Sequence, residues 1–237
     1  MAGRPTRTPE MEPDAPLSAQ VTFAQVEAAA QDVGLIVMGA LHPRVSGAKQ
    51  LDGGTLILLG TASEFWGTFE TSPEWLDNQP HPIDRWSTRI VQGLAQDLTG
   101  TAYFPFGGPP YTPFIDWALK SGRTFTSPVG ALVHDTVGML ISFRGALHFE
   151  QEFDIPAPSG LSPCTTCPAP CTTACPVGAL NAHAFYDVDG CHAYLNTADG
   201  QNCLAQGCAT RLACPVSAGA GRSQAQTAHH MKAFHPS

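Results

Sequence analysis

All eight cysteines of this 237-residue chain fall between Cys164 and Cys214. Thiols crowded in this way serve one local purpose, and three chemistries use them: disulfides, zinc, or iron–sulfur clusters. The spacing discriminates. Cys164-x2-Cys167-x3-Cys171-x3-Cys175 runs directly into Pro176, Cys191 stands alone, and Cys203-x4-Cys208-x5-Cys214 runs into Pro215. Runs of closely spaced cysteines that end in Cys-Pro suit a cubane cluster. One loop wraps one side of the cubane with three thiolates and cannot reach the opposite corner. The fourth thiolate therefore comes from distant chain, and the cysteine before proline serves the other cluster. Eight thiols are the number that two four-iron clusters require. The expected sets are Cys164, Cys167, Cys171 and Cys214 for the first, and Cys175, Cys191, Cys203 and Cys208 for the second.

The alternatives have weaker support. Structural zinc sites show C-x2-C pairs separated by a dozen or more residues, and here only Cys164 and Cys167 make such a pair. A zinc-stapled interaction module nevertheless stays open as a third reading. Disulfides suit small exported scaffolds, whereas a long cysteine-free segment precedes these thiols and the first twenty residues carry no apolar run. His183 and His192 read as structural, because eight thiols already close two sites. The cysteine region is rich in Thr, Ala, Pro and Gly. Such small residues let backbone N–H groups approach cluster sulfurs and tune their potential.

The elements that must hold these thiols come largely from the preceding chain. Phe23–Ala30 reads as a helix capped by Thr22, and Gly34–Leu41 and Thr55–Leu59 as buried strands. Pro82–Leu98 carries Ile83, Trp86, Ile90, Leu94 and Leu98 on one helical stripe. Phe114–Lys120 reads as a helical turn, and Leu132–His134 with Met139–Phe143 as a hairpin. Ser223–Phe234 reads as one surface helix carrying His229 and His230, with His235 just beyond. Trp66, Trp75, Trp86 and Trp117 are expected in packing, Glu64, Glu70 and Glu74 on a solvated face, and His42, His81, His134 and His148 at strand ends and loops. The organisation expected is a loose tail at 1–16, an α+β (or α/β) domain at 17–154, a linker at 155–163, a dicluster domain at 164–216 and a helical tail at 217–237.

Composition narrows the function classes. Twelve Lys and Arg against 20 Asp and Glu leave a net charge of −8, and only 14% of residues are charged. That balance offers no electrostatic footprint for nucleic acid or an anionic membrane. No apolar run is long enough to cross a bilayer. No dinucleotide fingerprint, phosphate loop or nucleophile elbow is present, so no catalytic residue is assigned.

The run Cys164 to Pro176, then Cys191-His-Ala-Tyr-Leu195, then Cys203 to Pro215 resembles the two-cluster, ferredoxin-like region of epoxyqueuosine reductases and the related corrinoid reductive dehalogenases. More faintly, Pro113-Phe-Ile-Asp-Trp-Ala-Leu119, Ser127-Pro-Val-Gly130 and Val137 to Gly145 look like the segment that joins their cobalamin-binding core to the clusters. The resemblance implies a nitroreductase- or cobalamin-reductase-like N-terminal domain followed by a small bacterial-type dicluster domain. It implies two [4Fe–4S] clusters and room for cobalamin or flavin, with site edges at Phe106–Pro113 and Ser127–Gly130. The family's catalytic Asp falls near Pro110, which cannot transfer a proton. The expectation is therefore a cytoplasmic iron–sulfur electron-transfer protein serving a redox partner protein or a small-molecule electron acceptor. A cobalamin-dependent reductase is the alternative.

Overall fold

The computed structural model describes residues 21–236, so the expected tail at 1–16 lies outside the described residues. The chain mixes helices with antiparallel sheets, as an α+β protein does. Helix α1 (Phe23–Asp32) begins where the Thr22 hydroxyl accepts the Gln25 N–H at 3.3 Å and the Gln25 side chain accepts the Thr22 N–H at 2.8 Å. This reciprocal cap satisfies two otherwise orphaned donors. After α1 come β1 (Leu35–Leu41), α2 (Pro43–Ser46), β2 (Thr55–Thr61), α3 (Phe65–Glu70), α4 (Pro73–Leu76), α5 (Pro82–Asp97), β3 (Thr101–Tyr103), α6 (Phe114–Lys120), β4 (Thr124–Thr126), β5 (Leu132–His134) and β6 (Phe143–Phe149).

The main sheet has the order β1-β2-β6-β3, antiparallel throughout. Every residue of β2 is buried. Successive strand side chains point to opposite faces. Ile57 and Leu59 join Val26, Phe65, Phe69 and Trp86 on the side of α1, α3 and α5. Leu56 and Leu58 join Phe114 and Trp117 of α6 on the other side. Cover on both faces is why the strand reads as an unbroken apolar run rather than an alternating one. Among the described residues no helix is long and apolar enough to cross a membrane.

Two expectations need correction. Leu132–His134 does not form a hairpin with Met139–Phe143. β5 pairs backwards with β4, from Thr124↔His134 to Thr126↔Leu132, and the chain from Phe143 enters the main sheet beside β2. The cause sits at Gly138. It adopts φ +59°, and a Cβ there would lie 2.4 Å from the Ser217 nitrogen. Met139 N–H donates to the Ser217 hydroxyl at 3.0 Å. The segment after the turn is thereby drawn onto the cysteine region, and only a bridge between His134 and Gly138 remains.

Glu74 is not on a solvated face with Glu64 and Glu70. It is 7% exposed, and both its oxygens accept from Arg89, Nε at 2.6 Å and Nη2 at 2.9 Å. Those bonds hold its carboxyl below the usual range despite the opposing effect of burial.

The β4–β5 ribbon is tied to the sheet by Arg123. Its guanidinium donates to Asp135 at 3.0 and 2.9 Å and to the Val37 carbonyl at 3.1 Å. His134 is fully buried. Its Nδ1 accepts the Thr136 N–H at 3.1 Å, which leaves Nε2 to donate to the Met38 carbonyl at 2.8 Å. The ribbon is thus a fixed platform, and the cysteine region packs on it.

Candidate metal centres

Residues 155–163 form neither helix nor strand. The cysteine region then builds short elements: a 3-10 turn at Pro170–Thr172, α7 (Val188–Leu195), α8 (Gln201–Gln206), α9 (Ala209–Leu212), a second 3-10 segment at Pro215–Ala220, and α10 (Gln224–Phe234). All but α10 carry a thiol within them or at their N-cap. Ala169 in the left-handed conformation starts the turn that buries Cys171. The Asp187 carboxylate accepts the Gly190 N–H at 2.9 Å and caps α7, setting Cys191 in its first turns. Gly207, at φ +111°, breaks α8 from α9 between Cys203 and Cys208. Cys214 caps the second 3-10 segment, the one gripped by Gly138 and Met139.

The eight thiols are all free, and they line two separate cavities. Cys164, Cys167, Cys171 and Cys214 share one with Ser127, Pro128, Val133 and Met139. Cys175, Cys191, Cys203 and Cys208 share the other with Tyr186, Tyr194, Leu195 and Met231. The first group packs into an apolar cluster with Val129, Val133 and Met139, where Cys171 is 5% and Cys214 9% exposed. Cys175 parts from Cys171, its neighbour in sequence, while Cys214 crosses to the thiols of the first run.

Burial raises the thiols of Cys164, Cys171, Cys191 and Cys203 above their ordinary range, and crowding by the other thiols of the same cavity adds to it. Opposing this, Ser162 favours the ionised sulfur of Cys164, the Tyr186 hydroxyl that of Cys191, and the Ala209 N–H that of Cys203. A cationic centre bound among four such thiols would deprotonate them.

Each donor set is four thiols, the number that either a tetrahedral zinc ion or a four-iron cubane takes. Tetrahedral zinc at about 2.3 Å from each sulfur requires sulfurs about 3.8 Å apart. Among the described residues no three Cys, His, Asp or Glu side chains gather closely enough to hold one ion. A cubane carries its iron at separate corners and spreads its thiolates wider.

The other expected site residues are dispersed. Ser127 and Pro128 border the first cysteine cavity. The Phe106–Pro113 loop reaches neither cysteine cavity, and Phe106 instead borders a shallow depression on α5. His183 is exposed, and His192 stacks on Phe234 with ring centroids 4.6 Å apart. His229 packs among Trp66, Phe69 and Trp75, at 5.5 Å from each indole. Helix α10 is therefore no simple surface helix: it buries Gln226 and Thr227 and fastens the end of the chain to α3 and α4.

A third, larger cavity of about 820 Å³ adjoins Cys191 and Cys208, enclosed by the Ser127–Ala131 turn, the loop from Leu180 to Tyr186, and α10. Arg211, Arg222 and His230 line it. The residue spacing does not reveal them, and the one available sign is that Arg211, Arg222 and Lys232 are the only Lys or Arg after Arg144. No protein-family model matches the chain, and no curated protein matches it.

Proposed function

We propose that the chain is an iron–sulfur electron-transfer protein. Cys164, Cys167, Cys171 and Cys214 hold one [4Fe–4S] cluster, and Cys175, Cys191, Cys203 and Cys208 hold a second. In this reading a ferredoxin-like dicluster domain follows a cobalamin-reductase-like α+β domain. The observation that carries it is the sorting of eight free thiols into two cavities of four, each completed by a thiol from the other run. Each bound cluster would supply one-electron chemistry.

The residues of the chain set the conditions for it. Val129, Val133 and Met139 exclude water around the first thiol set. Donors near Cys164, Cys191 and Cys203 adjust the charge on their sulfurs, one of the levers on cluster potential. Anaerobically purified protein is expected to be brown and to contain about eight iron and eight sulfide per chain. A colourless protein containing zinc and no sulfide refutes the reading.

A second reading is favoured by the 820 Å³ cavity beside Cys191 and Cys208: a reductase that passes electrons to a small molecule or to a bound corrinoid or flavin. The protein would then position and tune that cofactor. Anaerobic titration with cobalamin tests the corrinoid form. Binding must raise thermal stability, and an unchanged melting temperature and spectrum reject it. The zinc-stapled module is the third reading, and the same metal and sulfide analysis separates it from the first two.

A further inference from the structure

We propose that the 820 Å³ cavity beside Cys191 and Cys208 binds a small organic oxyanion, a carboxylate or phosphate ester, between Arg222 and Arg211. The lining contains two arginines and two histidines and no Asp or Glu. Arg222 is part-buried, and its one hydrogen bond among the described residues runs from Nη2 to the Leu140 carbonyl at 2.7 Å. A guanidinium carries five N–H donors, so most of this one's capacity faces no protein acceptor. Neither Arg222 nor Arg211 has a carboxylate within ion-pair distance among the described residues.

Two further polar atoms at the cavity are buried without a partner: His230 Nε2 and Ser127 Oγ. Buried polar groups are nearly always hydrogen-bonded, and an orphan calls for an explanation.

The electrostatics agree. Burial, then Arg211 and Arg144, lower Arg222 to about 10. Burial, then Arg222, Arg144, His229 and Arg211, drive His230 to about 2, so its ring is neutral. Arg144 is paired with Asp84 at 3.3 Å. An anion would offset the cost of burying the Arg222 charge, and guanidinium forks match carboxylate and phosphate oxygens in pairs.

The rest of the wall selects an organic molecule rather than a bare ion. Leu140, Leu180, Met231 and Phe234 make it apolar, and Phe185, at 101% exposure, stands over it with its ring in solvent. The volume falls within the roughly 300–1,000 Å³ of small-molecule sites.

The site adjoins the second thiol set through Cys191 and Cys208, and its proposed ligand groups are the two arginines rather than the thiols. Iron content, measured on every sample, therefore separates a lost cluster from lost anion binding. The test is calorimetric titration of full-length protein, purified anaerobically, with phenyl phosphate, benzoate, inorganic phosphate and neutral benzyl alcohol. At least one of phenyl phosphate and benzoate should bind about tenfold or more tightly than benzyl alcohol, as charge-assisted pairing requires. Which of the two wins identifies the oxyanion. Inorganic phosphate should bind more weakly than phenyl phosphate, lacking the apolar contact.

Arg222→Gln and Arg211→Gln should each weaken oxyanion binding by about tenfold with iron unchanged. Arg211 is exposed, so R211Q remains decisive if R222Q does not fold. Equal binding of charged and neutral probes, no binding of either organic oxyanion, or full affinity in R211Q at full iron content overturns the proposal.

Discussion

The two-cavity arrangement makes a prediction that the bare sequence order does not. Cys171 and Cys175 are four residues apart yet line different cavities, whereas Cys171 and Cys214 share one across 43 positions. Cys171→Ser and Cys175→Ser should each halve the metal, from about eight irons to about four. Cys171→Ser with Cys214→Ser should also leave about four, because both act on one centre and their effects do not add. Cys171→Ser with Cys175→Ser should leave about none, because each empties a different cavity. Stability follows the packing. A serine hydroxyl at position 171, surrounded by Val129, Val133 and Met139, costs about 1–3 kcal/mol beyond the lost metal. The less enclosed 175 costs less. Iron and sulfide quantitation with low-temperature EPR of the four proteins decides the matter. If the 171/175 double variant keeps half its iron while the 171/214 variant loses all, each run holds its own cluster and the crossed arrangement is wrong.

Gly138→Ala puts a methyl 2.4 Å from the Ser217 backbone, so it should displace the segment that carries Cys214. Iron in the first centre should fall while the second is retained, as EPR would resolve. Glu74→Gln tests the Arg89 pair. The Glu74 pKa is depressed in the folded state, so its contribution is full above the ordinary Glu pKa and is lost as pH falls through the folded value. Urea melts from pH 7 down to 3 should show a shallower acid loss in the variant, which should be about 1 kcal/mol less stable at neutral pH. Trp117→Phe removes the indole N–H that donates to the Lys49 carbonyl at 2.8 Å. A loss of about 1–3 kcal/mol is expected in chemical denaturation, with iron content unchanged.

Local signals in the sequence carried much of the fold. Thr22 announced the start of α1, the stripe from Ile83 to Leu94 announced α5, and the apolar run in β2 announced a buried strand. What escaped depends on distant partners. β6 pairs with β2 some ninety residues earlier, and nothing near Met139 signals that Ser217 will capture it. Glu74 looks like any surface acid until Arg89, on a later helix, folds over it. In the candidate site, cysteine spacing bears on which thiols share a cavity because short loops limit reach. Arg211, Arg222 and His230 come from separate elements, with no spacing rule to join them.

The crossing of the two cysteine runs sets an order for biosynthesis. A ribosome delivers Cys208 before Cys214, so the cavity built on Cys175 has its full set of sulfurs while the one that begins at Cys164 is still missing its last. The site that starts earlier in the gene is finished later. Any machinery that loads metal during translation would meet the downstream receptacle complete first, and a nascent chain stalled between these two cysteines could be filled only by half.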